Sequence, residues 1–185
     1  MAPTLTKQTA RWIGGGIAVV EGLAALSRHA RRTEVYAQAQ QRAKETGRTL
    51  VVVGDPDAGA HTKLARAYGC GDVCVDLNDC PACPTSEAVD LTTQQSKVPS
   101  DSAVVYVSCV LEYVNDFNAA WAEIFRMAGS PSNVYMATVQ PWTLTAVLYP
   151  GAQYTVTEQG QGTRISDFRK VATVAGLGWF CLKML

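Results

Sequence analysis

The chain has 185 residues, 48% hydrophobic and 17% charged, with 16 basic side chains balancing 16 acidic ones. That length and apolar content can bury one core, which excludes a collagen-like or disordered chain. The zero net charge removes the basic excess that wrapping a nucleic-acid backbone requires, so non-specific DNA or RNA binding is not expected.

The N-terminal stretch Trp12 to Leu26 reads WIGGGIAVVEGLAAL, with Glu21 its one charge, Arg11 before it and Arg28, Arg31 and Arg32 after it. It falls short of the roughly 18 to 20 apolar residues that cross a bilayer, and Gly14, Gly15 and Gly16 weaken a helix in water. Trp at one end and a basic cluster at the other suit interfacial anchoring. Two readings stand side by side: a membrane anchor through residues 12–26, which would leave the rest facing the cytoplasm, and a buried or docking helix. Arg28 to Thr46 is rich in Ala, Gln, Arg and Glu and predicts a polar helix that Gly47 stops. Residues 1–47 therefore read as an N-terminal helical segment and 48–185 as the main domain.

From Leu50 the character changes. The unbroken run Leu50 to Val53 predicts a strand buried on both faces, as in a parallel sheet. A turn, GDPDAG (Gly54 to Gly59), leads to a predicted helix over Ala60 to Tyr68 and a second strand over Asp72 to Asp76. The alternation continues with a short strand at Glu87 to Leu91, a strand at Ala103 to Val107, a helix at Phe117 to Ala128 and a strand at Asn133 to Val139. Ser166 to Ala175 then predicts a helix, and Trp179 to Leu182 a strand. Such alternation implies an open, mainly parallel α/β sheet with helices on both faces.

In such a sheet the first strand-to-helix turn is where a ligand approaches, beyond the carboxyl ends of the strands. Gly54 and Gly59 permit close approach, but Asp55 and Asp57 would repel a pyrophosphate, and no Gly-Lys-Ser/Thr follows. The turn suits a neutral or cationic ligand. Asp76, at the end of the next strand, can accept both hydroxyls of a ribose, which favours a nucleoside; as an alternative it caps a turn.

Four stretches between Leu50 and the C-terminal region, LVVVGDPDAG, DVCVDLND, AVDLTTQQSKVPSDSAVVYVSCVLEYVND and FNAAWAEIFRMAGSPSNVYMATVQPW, resemble the S-adenosylmethionine-dependent methyltransferases of Rossmann-like fold. The third is the most specific, with Leu111-Glu112-Tyr113-Val114 ahead of Glu123-Ile124-Phe125-Arg126-Met127. The resemblance implies that Gly54 and Gly59 line the methionine part of the cofactor, Asp76 holds its ribose, Asp90 approaches the adenine amino group and Ser108 closes the cofactor-facing end of its strand. Asp55 and Leu77 complete the implied cofactor-binding set, and Trp142 is an expected substrate contact. A sulfonium is cationic and carries no phosphate, so Asp55 and Asp57 are compatible with it. Methyl transfer asks mainly for alignment and exclusion of water, so no triad or metal is required.

The expected function is methyl transfer from S-adenosylmethionine to an unspecified acceptor. The alternative is a methyltransferase-like scaffold without catalysis, tethered to a membrane. Val52 stands where the family usually has an acidic residue, and Tyr113 where it usually has His, which gives that alternative its weight.

Four of the six cysteines lie between Cys70 and Cys83. Cys80-Pro-Ala-Cys83 could be half of a zinc site or a redox pair, but with irregular spacing and isolated His29 and His61 they read mainly as small, partly buried residues in a reducing compartment. Glu112, Glu123 and Arg126 read as surface pairs worth less than about 1 kcal/mol, and Trp121, Ile124 and Phe125 as core.

Overall fold

The computed structural model describes residues 7–58, 65–139, 143 and 151–165. The expected C-terminal helix and strand, Gly59 and Trp142 lie outside the described residues. A single 40-residue helix, α1 (Lys7–Thr46), comes first and ends at Gly47, whose φ of 64° is left-handed. The two N-terminal segments expected from sequence are thus one rod about 60 Å long. No helix among the described residues is long and apolar enough to cross a membrane.

Strands β1 (Thr49–Val53), β2 (Val73–Asp76), β3 (Ser86–Ala88), β4 (Ala103–Ser108) and β5 (Val134–Ala137) form one sheet in the order β3-β2-β1-β4-β5, and every pairing in it is parallel. β1 sits at the centre, paired with β2 through Val51–Val73 and with β4 through Val52–Tyr106. The β4 side chains are buried along its whole length, which is why both strands read as unbroken apolar runs.

Alternation along the central strands supplies two cores. Val51, Val53, Val105 and Val107 face α2 (Phe117–Ala128), whose Phe117, Ala120, Ile124 and Met127 repeat at helical spacing. Leu50, Val52, Val104 and Tyr106 face the other way, onto Val35, Ala39 and Ala43 of the second half of α1. The result is an α/β fold with an N-terminal helix and helices on both faces of the sheet. Asp116 caps α2 by accepting the Ala119 N–H at 3.1 Å, and Gly129 ends it with φ 68°. A hairpin of β6 (Tyr154–Val156) and β7 (Gly162–Arg164) lies against the start of α2, where Tyr154 meets the Phe117 ring at 5.6 Å.

Three expectations are corrected. The segment expected to be helical over Ala60 to Tyr68 is not helical over 65–68. Tyr68 is buried there among Tyr36 and Tyr106, with ring centroids 6.1 and 5.1 Å away, and its hydroxyl donates to the Asp55 carbonyl at 3.2 Å. The short third strand begins at Ser86 and ends at Ala88, because Asp90 turns the chain by accepting the Thr92 N–H and hydroxyl. The cysteines expected mainly as small, partly buried residues in a reducing compartment are paired, and not as Cys80 with Cys83: Cys70 bonds to Cys83 and Cys74 to Cys80, at Cα separations of 5.4 and 6.5 Å. Both disulfides tie the chain before or within β2 to the loop leading to β3, and among the described residues no cluster of three or more side chains could hold a metal ion.

Candidate functional site at the carboxyl edge of the sheet

Gly54 follows β1 with φ 110°, a conformation that favours glycine, and its N–H donates to the Val75 carbonyl at 2.9 Å. A Cβ there would come within 2.9 Å of Val110 Cγ2 and 3.0 Å of the Ser108 carbonyl. Glycine therefore lets the turns after β1 and β4 touch, a packing requirement that the sequence reading assigned to ligand approach.

The Asp55 N–H donates to Asp76 Oδ2 at 3.0 Å, so the turn after β1 is bonded to the carboxylate that ends β2. Asp76 Oδ1 accepts the Asn78 N–H at 3.2 Å, and its carbonyl accepts the Val89 N–H at 2.7 Å, which draws the end of β3 alongside. Asp55 Oδ1 accepts the Asp57 N–H, Pro56 is buried, and Asp57 pairs with Arg66, whose guanidinium holds that carboxyl below the usual range. Leu77 is 66% exposed beside Asp76. Asp90 is held below the ordinary carboxylate range by the hydroxyl and N–H of Thr92. Ser108 is buried beside the hydroxyls of Tyr68 and Tyr106, and its Oγ makes no hydrogen bond of full geometry.

Gly54, Asp55, Asp76, Leu77, Asp90 and Ser108 therefore all lie at the carboxyl ends of β1 to β4. Asp55, Asp76 and Asp90 are half-buried. Such an edge offers acceptors to hydroxyl or amino donors and a negative potential to a cation. Two hollows among the described residues are lined by other side chains, the second of them adjoining Asp90. One of about 750 Å³ runs between the outer face of α1, at Glu34, Gln38 and Arg42, and Tyr135 of β5. The other, of about 390 Å³, lies between residues 91–95, just after Asp90, and α2.

A second cluster adjoins the edge on the α1 side, and sequence reasoning missed its character. Glu112, expected at the surface, is 3% exposed. Its Oε1 accepts the Val139 N–H at 2.7 Å, while Oε2 has no hydrogen-bond partner among the described residues. Burial raises its pKa to about 7 against the pull of that N–H, of its own backbone N–H and of Arg32. Arg32, from α1, is buried with its Nε unpartnered among the described residues, and the Tyr106 hydroxyl donates to its carbonyl at 3.3 Å. Cys109 follows β4 with φ 51°, donates its N–H to the Ala137 carbonyl at 2.8 Å, and has its thiol pushed up to about 11 by burial. That thiol is not activated as a nucleophile. The apolar neighbours of Glu112 in the run VLEYV were the one available sign of its burial.

Glu123 and Arg126 are also more than a surface pair. Glu123 is 6% exposed, and Arg126 holds both its carboxylate oxygens, each at 2.7 Å. Comparison with family models, with curated proteins and with solved structures gave no match for this chain.

Proposed function

We propose that the chain is a Rossmann-like methyltransferase domain that binds S-adenosylmethionine at the carboxyl edge of its sheet and passes the methyl group to an acceptor the site does not specify. The observation that carries this reading is the hydrogen bond from the Asp55 N–H to Asp76. It joins the turn after β1 to the acid after β2, beside the point where the strand order reverses between β1 and β4. In open α/β sheets that reversal opens a crevice for ligands. Asp76 keeps lone pairs for ribose hydroxyls, Asp90 lies at the neighbouring strand end to accept an amino group, and the acidic edge attracts a sulfonium.

A second reading has a specific observation in its favour. Both oxygens of Asp76 already accept a backbone N–H, and Pro56 is buried within the turn. Those are features of a self-contained scaffold that no longer takes a cofactor. Titration calorimetry separates the two. With S-adenosylhomocysteine the enzyme reading predicts saturable heat, and Asp76→Ala weakens binding about 10- to 100-fold through lost hydrogen bonds to a charged acceptor. Because Asp76 also holds Asp55 and Asn78, the variant's thermal melt must show a folded protein. Affinity unchanged in a folded variant removes Asp76 from the site, and no heat at millimolar ligand leaves the scaffold reading.

A further inference from the structure

The first half of α1 presents large apolar side chains to solvent: Trp12 is 76% exposed, Val19 62%, Leu23 62% and Leu26 65%. At 100° per residue these four fall within one stripe of about 60°, with the exposed Val20 at its margin and the exposed Ile17 on the far side. Ala24 alone is buried in residues 14–26, whereas Arg32, Val35, Ala39 and Ala43 of the second half are buried against the sheet domain. The rod is therefore docked at its C-terminal half and carries, among the described residues, an unpartnered apolar face on its N-terminal half.

We infer that this face is seated in a phospholipid bilayer with anionic headgroups. The side of the helix opposite the stripe separates lipid from a protein partner. A helix that packs on protein from water keeps a charged outer face, and a coiled-coil seam is flanked by charges that set its register. Here the other side is Gly14, Ile17, Ala18 and Ala25, with Glu21 the single charge between Arg11 and Arg28. Charge and aromatic placement agree with this occupant. Every charged residue before Glu21 is basic, namely Lys7 and Arg11, and Arg28 follows the apolar stretch, while Trp12 marks one boundary as interfacial tryptophans do. Glycines at 14, 15 and 16 weaken a helix in water by about 1 kcal/mol each, but an apolar phase forces backbone groups to pair within the helix and so favours it. Residues 12–26 measure about 22 Å, less than the ~30 Å hydrocarbon core, so the segment enters the bilayer without crossing it and holds the sheet domain at the surface.

Flotation of the full chain with vesicles tests this. The inference predicts that the protein rises with vesicles of phosphatidylcholine and phosphatidylserine, less with phosphatidylcholine alone. A Val19→Glu/Leu23→Glu variant, altered only at exposed positions, should lose at least about tenfold in the floated fraction while its circular dichroism at the sheet domain and its melting are kept. Carbonate extraction should release the bound protein, because the segment does not cross. Failure to float with either vesicle overturns the inference, as does equal flotation of the variant. Self-association that the variant abolishes, in a protein that ignores vesicles, overturns it in favour of a second copy as the occupant.

Discussion

Replacing Arg126 by Ala is expected to remove about 3–5 kcal/mol of folding free energy, the range for stripping the partner from a buried charge. Glu123 points inward from α2, and its carboxylate is matched by the Arg126 guanidinium in a two-pronged pair that also serves the loop before β4. Arg126 donates to the carbonyls of Ser96 and Val98 at 3.1 and 2.9 Å and to Ser100 Oγ at 3.0 Å, while Glu123 accepts the Ser96 N–H at 2.9 Å. The Ser96 hydroxyl and the Lys97 N–H in turn reach Glu87 beside β2. Removing the guanidinium leaves a buried carboxylate with the Ser96 N–H but no counter-charge, and takes the Arg126 donor from two loop carbonyls. Arg126→Lys restores charge but not the planar fork and should recover only part of the loss. Urea unfolding of both variants measures this; an Arg126→Ala loss below about 1 kcal/mol would return the pair to the class of surface ion pairs.

Stability is expected to fall as pH rises from 5 to 8, and Glu112→Gln is expected to abolish most of that slope. The folded chain holds the Glu112 proton to about pH 7, whereas the unfolded chain releases it near the ordinary value of 4.5. A carboxyl raised in this way contributes its full stability below about pH 4.5 and loses it as pH climbs through 7. The span corresponds to something on the order of 3 kcal/mol. Burial sets this rise, and the Val139 N–H, the backbone N–H of Glu112 itself and Arg32 oppose it. The lowered carboxyls of Asp57 and Asp90 work in the opposite sense, but only below about pH 4, outside this window. Urea midpoints at pH 5 and pH 8 for both proteins provide the measurement, and parallel slopes would show that Glu112 ionises freely.

How far the sequence reached depends on the range of the interactions that fix each feature. Helix α2 was legible to the residue because Asp116, the apolar repeat and Gly129 are local signals. The strands β1 and β4 were legible because burial on both faces leaves an uninterrupted apolar run. β3 is polar and held by register with β2, so its composition placed it late. The stretch before Gly69 has helical composition, yet Tyr68 is held by rings from α1 and β4, contacts that only the fold assembles. Cysteine spacing leaves pairing undetermined, since four cysteines allow three connectivities. Glu112 and Glu123 have the composition of surface residues, and their burial comes from segments 27 positions away, Val139 for one and Ser96 for the other. At the sheet edge the sequence collected the right strand ends, because parallel topology brings those ends together whatever the loops do. It did not show that Gly54 answers to Val110 or that Asp76 is already engaged by Asp55 and Asn78.

An amide chemical-shift map with S-adenosylhomocysteine tests the edge site most directly. Shifts that saturate together at Asp55, Asp76, Leu77, Asp90 and Ser108, with Lys44 and Glu45 at the far end of α1 unmoved, are the predicted result. A spectrum unchanged at saturating ligand, or shifts confined to the groove between α1 and β5, would contradict it.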